Sequence, residues 1–466
     1  MGRLVIASNR TATPGAPRAG GLAVALSDAL AERGGGLWFG WSGEVDEREQ
    51  RGIRLVTDAG VDFALADLTP AEHEQYYLGY SNRTLWPVFH YRVDLAVFDE
   101  PSFDVYESVN RRFGRLLAGL TKPGDVVWLH DYHFLLMGLE MRASGWEGTL
   151  GFFLHIPFPA PEVFIALPQH QRLARGLAAF DLIGFQTDRD TANFRRYLIA
   201  HCDAVEVDET HITAFGRTFE TRTFSIGIDA AEMATMAVSP QATEAAERVG
   251  EKGETRALVI GVDRMDYSKG LPQRMEAFGR LLDDHPELHG KVSFLQIAPP
   301  SRESVDAYQA LRGEMDGLAG RINAEIADLD WQPIRYLARG YDRAVLAGLF
   351  RLAKVGLVTP LHDGMNLVAK EYVAAQDPED PGVLILSEFA GAAEQLKDAL
   401  LVNPHDIGGM ADAIHRALVM PLAERKERWE ALDRAVREQD IAWWRHGFLD
   451  ALEAATRPAD AETARA

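Results

Sequence analysis

Short runs of consecutive apolar residues alternate along this chain with longer segments in which apolar positions recur at helical spacing. The runs "RLVIAS", "DVVWL", "LGFFL" and "LIGF" come first, then "RALVIGV", "VSFLQIA", "VGLVT", "VLIL" and "LLVN". Unbroken apolar runs of this length suit strands buried on both faces. Strands alternating with helix-period segments predict an α/β protein with mainly parallel sheets. Just past the runs stand Asn9 and Arg10, His130 and Asp131, His155, then Asp263 and Arg264, Arg302, His362 and Asp363, and Ser387 and Glu388. Polar residues at the carboxyl ends of parallel strands are where such sheets bind ligands. Two such series predict two facing sheets.

The series break within "DAAEMATMAVSPQATEAAERVGEKGETRA", residues 229 to 257, a polar segment that reads as an interdomain connection. The expected division is an N-terminal domain, 1–228, and a second domain, 229–440. Residues 441–466 are expected to form a helix packing back on the N-terminal domain, followed by a frayed tail. At 466 residues the chain suits two domains.

A net charge of −21 and the lack of any Lys/Arg-rich block argue against a nucleic-acid partner. No apolar run reaches the length of a membrane span, and "MGRLVIASNR" enters a strand without an export signal, so a cytoplasmic protein is expected. The one cysteine, Cys202, excludes an internal disulfide and reads as buried apolar filler.

Three segments carry candidate chemistry. In "PRAGGLAVALSDALAER" the Gly20–Gly21 pair precedes an amphipathic helix whose first N–H groups suit an anion; a flexible turn reads equally well. In "GVDRMDYSKG" Arg264 and Lys269 leave a buried strand, and Gly270-Leu271-Pro272 opens a helix; two cations at a strand end fit a diphosphate. In "LHDGMNLVAKEY" Asp363 precedes a helix that carries Glu371, with Asn366 and Leu367 offering N–H groups between them. That spacing suits sugar, phosphate and ribose in order, although an N-terminal Asp and a surface Glu would also produce it. Neither a P-loop nor a G-x-G-x-x-G fingerprint occurs.

The blocks "SNR", "GGLAVAL", "GLWFGWSGE", "LWPVFHYR", "WLHDYHF", "GFFLHIPFP", "RMDYSKGLP", "QIAPPSR", "GRIN", "VTPLHDGMNLVAKEYVAAQ" and "GVLILSEFAGAAEQL" resemble, in order, those of the trehalose-6-phosphate synthases. The resemblance implies a GT-B type glycosyltransferase of two Rossmann-like domains with its active site in the interdomain cleft. It would move glucose, with retention, from a nucleotide-glucose donor to glucose 6-phosphate. By the same resemblance the acceptor set is Arg10, Trp41, Tyr77, Trp86, Asp131 and Arg302, the two tryptophans sitting in loop-like segments. The donor set is Gly21, His155, Arg264, Lys269, Asp363, Asn366, Leu367 and Glu371, with His155, Arg264, Lys269 and Asp363 closest to the chemistry. The family implies no cofactor, no metal, and a homo-oligomer. UDP-glucose is the first expectation, with guanosine and adenosine donors open. "TATPGAPRA" looks shorter than in many relatives, His362 stands where Arg is frequent, and no appended phosphatase domain is expected.

Rival readings remain. A metal-dependent transferase would use Asp-x-Asp, which "DRD" at 188–190 and "DLD" at 328–330 match; a helix start and a turn account for both. His130, Asp131, His133 and His155 could be metal ligands or hydrogen-bonding groups. Glycerol 3-phosphate is an alternative acceptor, and a non-catalytic sugar-phosphate-binding regulator is a further possibility.

Overall fold

The computed structural model describes residues 2–12, 21–47, 52–250, 256–302 and 305–455. Its chain divides into two compact units, one drawn from residues 1–225 and 444–466, the other from 226–443.

The first unit holds β1 (Leu4–Arg10), β2 (Gly36–Val45), β3 (Arg54–Asp58), β4 (Val61–Leu68), β5 (Val126–His130), β6 (Leu150–Phe153), β7 (Leu182–Phe185), β8 (Val205–Glu206), β9 (His211–Ala214) and β10 (Arg217–Thr223). Among the described residues these form one sheet in the order β3-β4-β2-β1-β5-β6-β7-β10-β9-β8. Its central strands pair in parallel; only β3 and the β8–β9–β10 edge run antiparallel. The first six residues of β1 are buried, as expected of a strand covered on both faces. The helix Ile441–Ala454 belongs to this sheet's cover from Trp444 onward. Phe448 stacks on Trp128 at 4.6 Å, and Trp444 meets Phe153 edge-on at 5.2 Å.

The second unit holds β11 (Ala257–Val262), β12 (Val292–Ile297), β13 (Ile334–Leu337), β14 (Val355–Val358), β15 (Val383–Ser387) and β16 (Leu400–Val402), all parallel, in the order β13-β12-β11-β14-β15-β16. In the parallel part of each sheet the strand order reverses beside the unit's first strand: between β1 and β5, and between β11 and β14. Open α/β sheets bind ligands outside the carboxyl ends at those points, where the flanking connections part to opposite faces.

Three expectations are corrected. Residues 229–257 are not a connection: helices Ala230–Ala237 and Pro240–Gly250 fill most of the segment, with Met233, Ala237 and Ala242 buried. Ala- and Glu-rich sequence looks polar by composition but is strongly helix-forming, and a few apolar positions suffice to dock it. The units exchange at Ser225–Ile226 and Trp443–Trp444, each three residues from the expected boundary. Cys202 is half-buried rather than filler, lying just beyond the helix Asp188–His201 with its Sγ 3.7 Å from the Tyr197 hydroxyl. Trp41 lies within β2, and Trp86 opens a helical turn after the π-helical stretch His73–Leu85, so neither is in a loop. Gly20 and all but the first two residues of the expected frayed tail, 454–466, lie outside the described residues, and Ala454 still belongs to the helix Ile441–Ala454. No described helix is long and apolar enough to cross a membrane.

Candidate active site

In the first unit the polar residues at the reversal sit inside an aromatic frame. Arg10 closes β1 and faces the Trp41 ring, its guanidinium carbon 6.0 Å from the ring centre. Gly43, at φ 93°, lets β2 bend around this side chain; a Cβ there would lie 2.8 Å from Arg10 Nη2. Trp41 donates its indole N–H to the Glu44 carbonyl at 2.7 Å and packs against Tyr77 at 5.3 Å. Tyr77 stacks on His133 at 6.0 Å, and His133 contacts Tyr132 at 4.0 Å. Trp86 meets Tyr132 from another side at 5.6 Å. Arg10, Trp41, Tyr77 and Trp86 are thus linked into one wall through His133 and Tyr132, two residues that directly follow Asp131 in the chain.

Asp131 itself follows β5 with φ at 75°, and its Oδ1 accepts the His155 backbone N–H at 3.3 Å. Positive φ at a non-glycine residue is sparsely populated and tends to persist where function over-determines it. Three of the expected site residues share this feature: Asp131, Arg302 at 49° and Asn366 at 73°.

The second unit meets the same topology with charge. Beyond β11, Asp263 is buried and pairs with the fully buried Arg274 at 2.7 Å. Arg274 also donates to Thr359 Oγ1 past β14 at 3.1 Å and to the Lys269 carbonyl at 3.0 Å. Lys269 forms an ion pair with Asp363. Asn366 donates to Asp363 Oδ2 at 3.1 Å and to Asp263 Oδ1 at 3.3 Å, closing the circuit between the two strand ends. Gly270, at φ 65°, links Lys269 to the helix Leu271–Asp284, and a Cβ there would strike the Thr359 carbonyl at 2.4 Å. Arg302, past β12, donates to the Tyr308 hydroxyl at 2.7 Å, which in turn donates to the buried Asp266 at 3.0 Å. Arg264 is exposed, with Nη1 3.4 Å from Ser301 Oγ.

The helix after β14, Leu367–Ala375, carries two titrating groups side by side. Burial raises the Glu371 carboxyl to about 7, against an opposing pull from Arg343 and with a small push from Glu232. Burial lowers the neighbouring Lys370 to about 7 while its ammonium donates to the Ile226 carbonyl at 2.7 Å and Gln395 Oε1 at 2.6 Å. Leu367 is the first helical residue, and Gly21 likewise opens the helix Gly21–Glu32 in the first unit.

Sequence reading missed Arg274, Asp266 and the partnership of His130 with His155. An Arg inside a helix reads as a solvated charge; only the three polar groups of "GVDRMD" at a strand end hinted that a buried counter-charge was required. Neither Asp-x-Asp candidate forms an open carboxylate pair. Asp190 is buried and accepts from Phe158 N at 2.9 Å, and Asp328 bridges to Trp331 in a tight turn. Elsewhere, His285, Glu287 and His415 bring three potential metal ligand atoms within 4.8 Å of one another. The two imidazoles lie face to face at 3.8 Å and 7°, so their in-plane lone pairs run alongside each other rather than converging.

The glycosyltransferase family 20 pattern matches residues 5–454. A protein of Sinorhizobium fredii named trehalose-6-phosphate synthase is 48% identical over 98% of this chain and 99% of its own. A crystal structure of an alpha,alpha-trehalose-phosphate synthase (UDP-forming) from Burkholderia vietnamiensis superimposes with a TM-score of 0.96 at 46% identity, covering 99% of this chain and 98% of that one. One from Burkholderia xenovorans, in complex with glucose-6-phosphate, gives 0.93 at 48% identity, covering 97% of this chain and all (100%) of that one.

Proposed function

This chain belongs to glycosyltransferase family 20, and we propose that it transfers glucose from UDP-glucose to glucose 6-phosphate, forming α,α-trehalose 6-phosphate and UDP. The observation that carries this reading is full-length identity of 48% to a named trehalose-6-phosphate synthase, joined to a UDP-forming relative and a relative holding glucose-6-phosphate.

The proposed roles follow the chemistry at the strand ends. Arg10 and Tyr77, with Arg302, would hold the acceptor phosphate; Asp131 would accept from a sugar hydroxyl; Trp41 and Trp86 would supply the apolar wall on which a hexose packs. Arg264, Lys269 and the N–H groups at Gly21, Asn366 and Leu367 would neutralise the donor diphosphate. Glu371 would accept the ribose hydroxyls, and His155 and Asp363 would grip the transferred glucose. As the glucosyl bond breaks, negative charge grows on the departing diphosphate, where Arg264 and Lys269 stabilise it. That diphosphate accepts the proton of the incoming acceptor hydroxyl as the new C1–O bond forms on the same face of the sugar, so the anomeric configuration is retained and no protein nucleophile is required. The Lys269–Asp363 pair gives Lys269 a resting partner before a diphosphate arrives. The proposed setting is the cytoplasm and the proposed assembly a homo-oligomer, which sedimentation would measure.

A donor-by-acceptor matrix tests the reading: UDP-, GDP- and ADP-glucose against glucose 6-phosphate, glycerol 3-phosphate and glucose. The expected product is trehalose 6-phosphate from UDP-glucose and glucose 6-phosphate, undiminished after exhaustive chelation. Turnover of glycerol 3-phosphate in preference to glucose 6-phosphate, or no turnover at all, would overturn it.

A further inference from the structure

His130 ends β5 and His155 lies two residues past the end of the neighbouring parallel strand β6, and their rings meet nitrogen to nitrogen: His130 Nδ1 lies 3.1 Å from His155 Nε2. The ring centroids are 5.3 Å apart with planes 26° from parallel. That separation is close to the nitrogen distance plus the two ring radii, so both nitrogens lie near the line of centres, where an in-plane hydrogen bond requires them. Burial holds both imidazoles neutral, His130 far below its ordinary range and His155 down to about 3. A neutral imidazole has one donor and one acceptor, so one ring must donate to the other, and choosing the donor fixes both tautomers.

The surroundings decide which. His130 is fully buried, and its other nitrogen, Nε2, has no hydrogen-bond partner. If His155 donated through Nε2–H, His130 would have to carry its proton on that Nε2, leaving a buried N–H without an acceptor at a cost of about 1–3 kcal/mol. The same cluster already holds two donors that can only donate. Trp128 and Trp444 each bury an indole N–H without a partner; Trp128 lies 4.4 Å from the His130 ring, and Trp444 6.0 Å from that of His155. No acceptor reaches Nε2, so that position suits a lone pair and not a further N–H.

We infer that His130 is a positioning residue whose Nδ1–H fixes His155 as the Nδ1-protonated tautomer, so that His155 presents a hydrogen-bond donor, and no acceptor, to a hydroxyl of the transferred hexose. The second half rests on the proposed glucosyl transfer; the tautomer itself does not. The device costs no charge at the site. It also orients the His155 ring from behind, as an outer partner orients a metal-bound histidine.

Two measurements on the full chain test it. ¹⁵N-imidazole NMR, with His155 assigned by its loss in His155→Ala, should show the His155 proton on Nδ1; a proton on Nε2 overturns the inference, whatever the enzyme's substrate. In kinetics, His130→Leu should lower kcat by about 10–100-fold, the range for lost outer partners, with acceptor KM little changed. His130→Asn places an amide N–H where Nδ1–H stood and should restore kcat to within a few-fold. Full activity in His130→Leu, or an Asn variant as impaired as the Leu variant while both melt with the parent, overturns the inference. If the parent itself turns over no nucleotide-glucose, the functional reading fails and the NMR result still decides the tautomer.

Discussion

The two units solve one topological problem with opposite chemistry. At the β1/β5 reversal, among the described residues, Arg10 brings a guanidinium and Asp131 a carboxylate to an otherwise aromatic and imidazole frame of Trp41, Tyr77, Trp86, His130, His133 and His155. At the β11/β14 reversal the strand ends are tied by charge: Arg274 to Asp263, Lys269 to Asp363, and Asn366 to both carboxylates. A parallel sheet therefore dictates where a ligand sits but not what chemistry meets it. A frame of aromatic and imidazole rings suits a hexose, whose faces are apolar and whose edges carry hydroxyls. A circuit of paired charges suits a ligand that gains charge during reaction, because it can exchange partners without creating a bare ion.

If the charged circuit is what holds the second site together, breaking its most buried pair should have the largest effect of all. Arg274→Met leaves Asp263 buried without its counter-charge and should destabilise the protein by about 3–5 kcal/mol, seen as a fall in the denaturant midpoint. The double variant Arg274→Met/Asp263→Asn should recover a substantial part of that loss. Equal losses in the single and double variants would show that the two residues do not act as a pair.

The contrast between the units was only partly legible in the sequence. β1, β5, β6, β7, β11, β12, β14, β15 and β16 were readable because strands buried on both faces are unbroken apolar runs. β2, with Gly and Trp through its middle, hid its strand, and with it the place of Trp41. The π-helical stretch that carries Tyr77 leaves no simple period to detect. Strand-end residues were readable as candidates because topology alone places them near a ligand. Arg274 was not, because burial of a helical Arg depends on a partner that another segment supplies.

A smaller effect, on rate and not on stability, should separate Lys269 from Arg274. Lys269 is largely shielded yet reaches Asp363 at the rim of the circuit. Lys269→Ala should lower kcat by the about 1.5–3 kcal/mol of a charged hydrogen bond, roughly 10- to 150-fold, with little change in the denaturant midpoint. A folded variant with near-parental kcat would remove Lys269 from the transition state and leave Arg264 as the principal side-chain cation there.

The finest test of the contrast is in pH, because the two units carry buried groups displaced in opposite senses. In the first unit His155 titrates at about 3 when folded, below the about 6.5 of an unfolded histidine. The unfolded chain then binds the extra proton, so this contribution to stability is present above 6.5 and is lost as pH falls toward 3. In the second unit Glu371 titrates at about 7 when folded, above the about 4.3 of an unfolded glutamate, through burial first of all. Here the folded chain binds the extra proton, so the contribution is complete below 4.3 and is lost as pH rises through 7. Glu371→Gln removes that loss and should gain stability over the parent between pH 5 and pH 8 by about 1–3 kcal/mol, while weakening UDP-glucose binding at pH 8. Melting both proteins at each pH, with donor titration at pH 8, makes the measurement. A stability difference that does not change with pH would mean that Glu371 titrates as an ordinary surface carboxylate, leaving Lys370 as the pH-sensitive member of the adjacent pair.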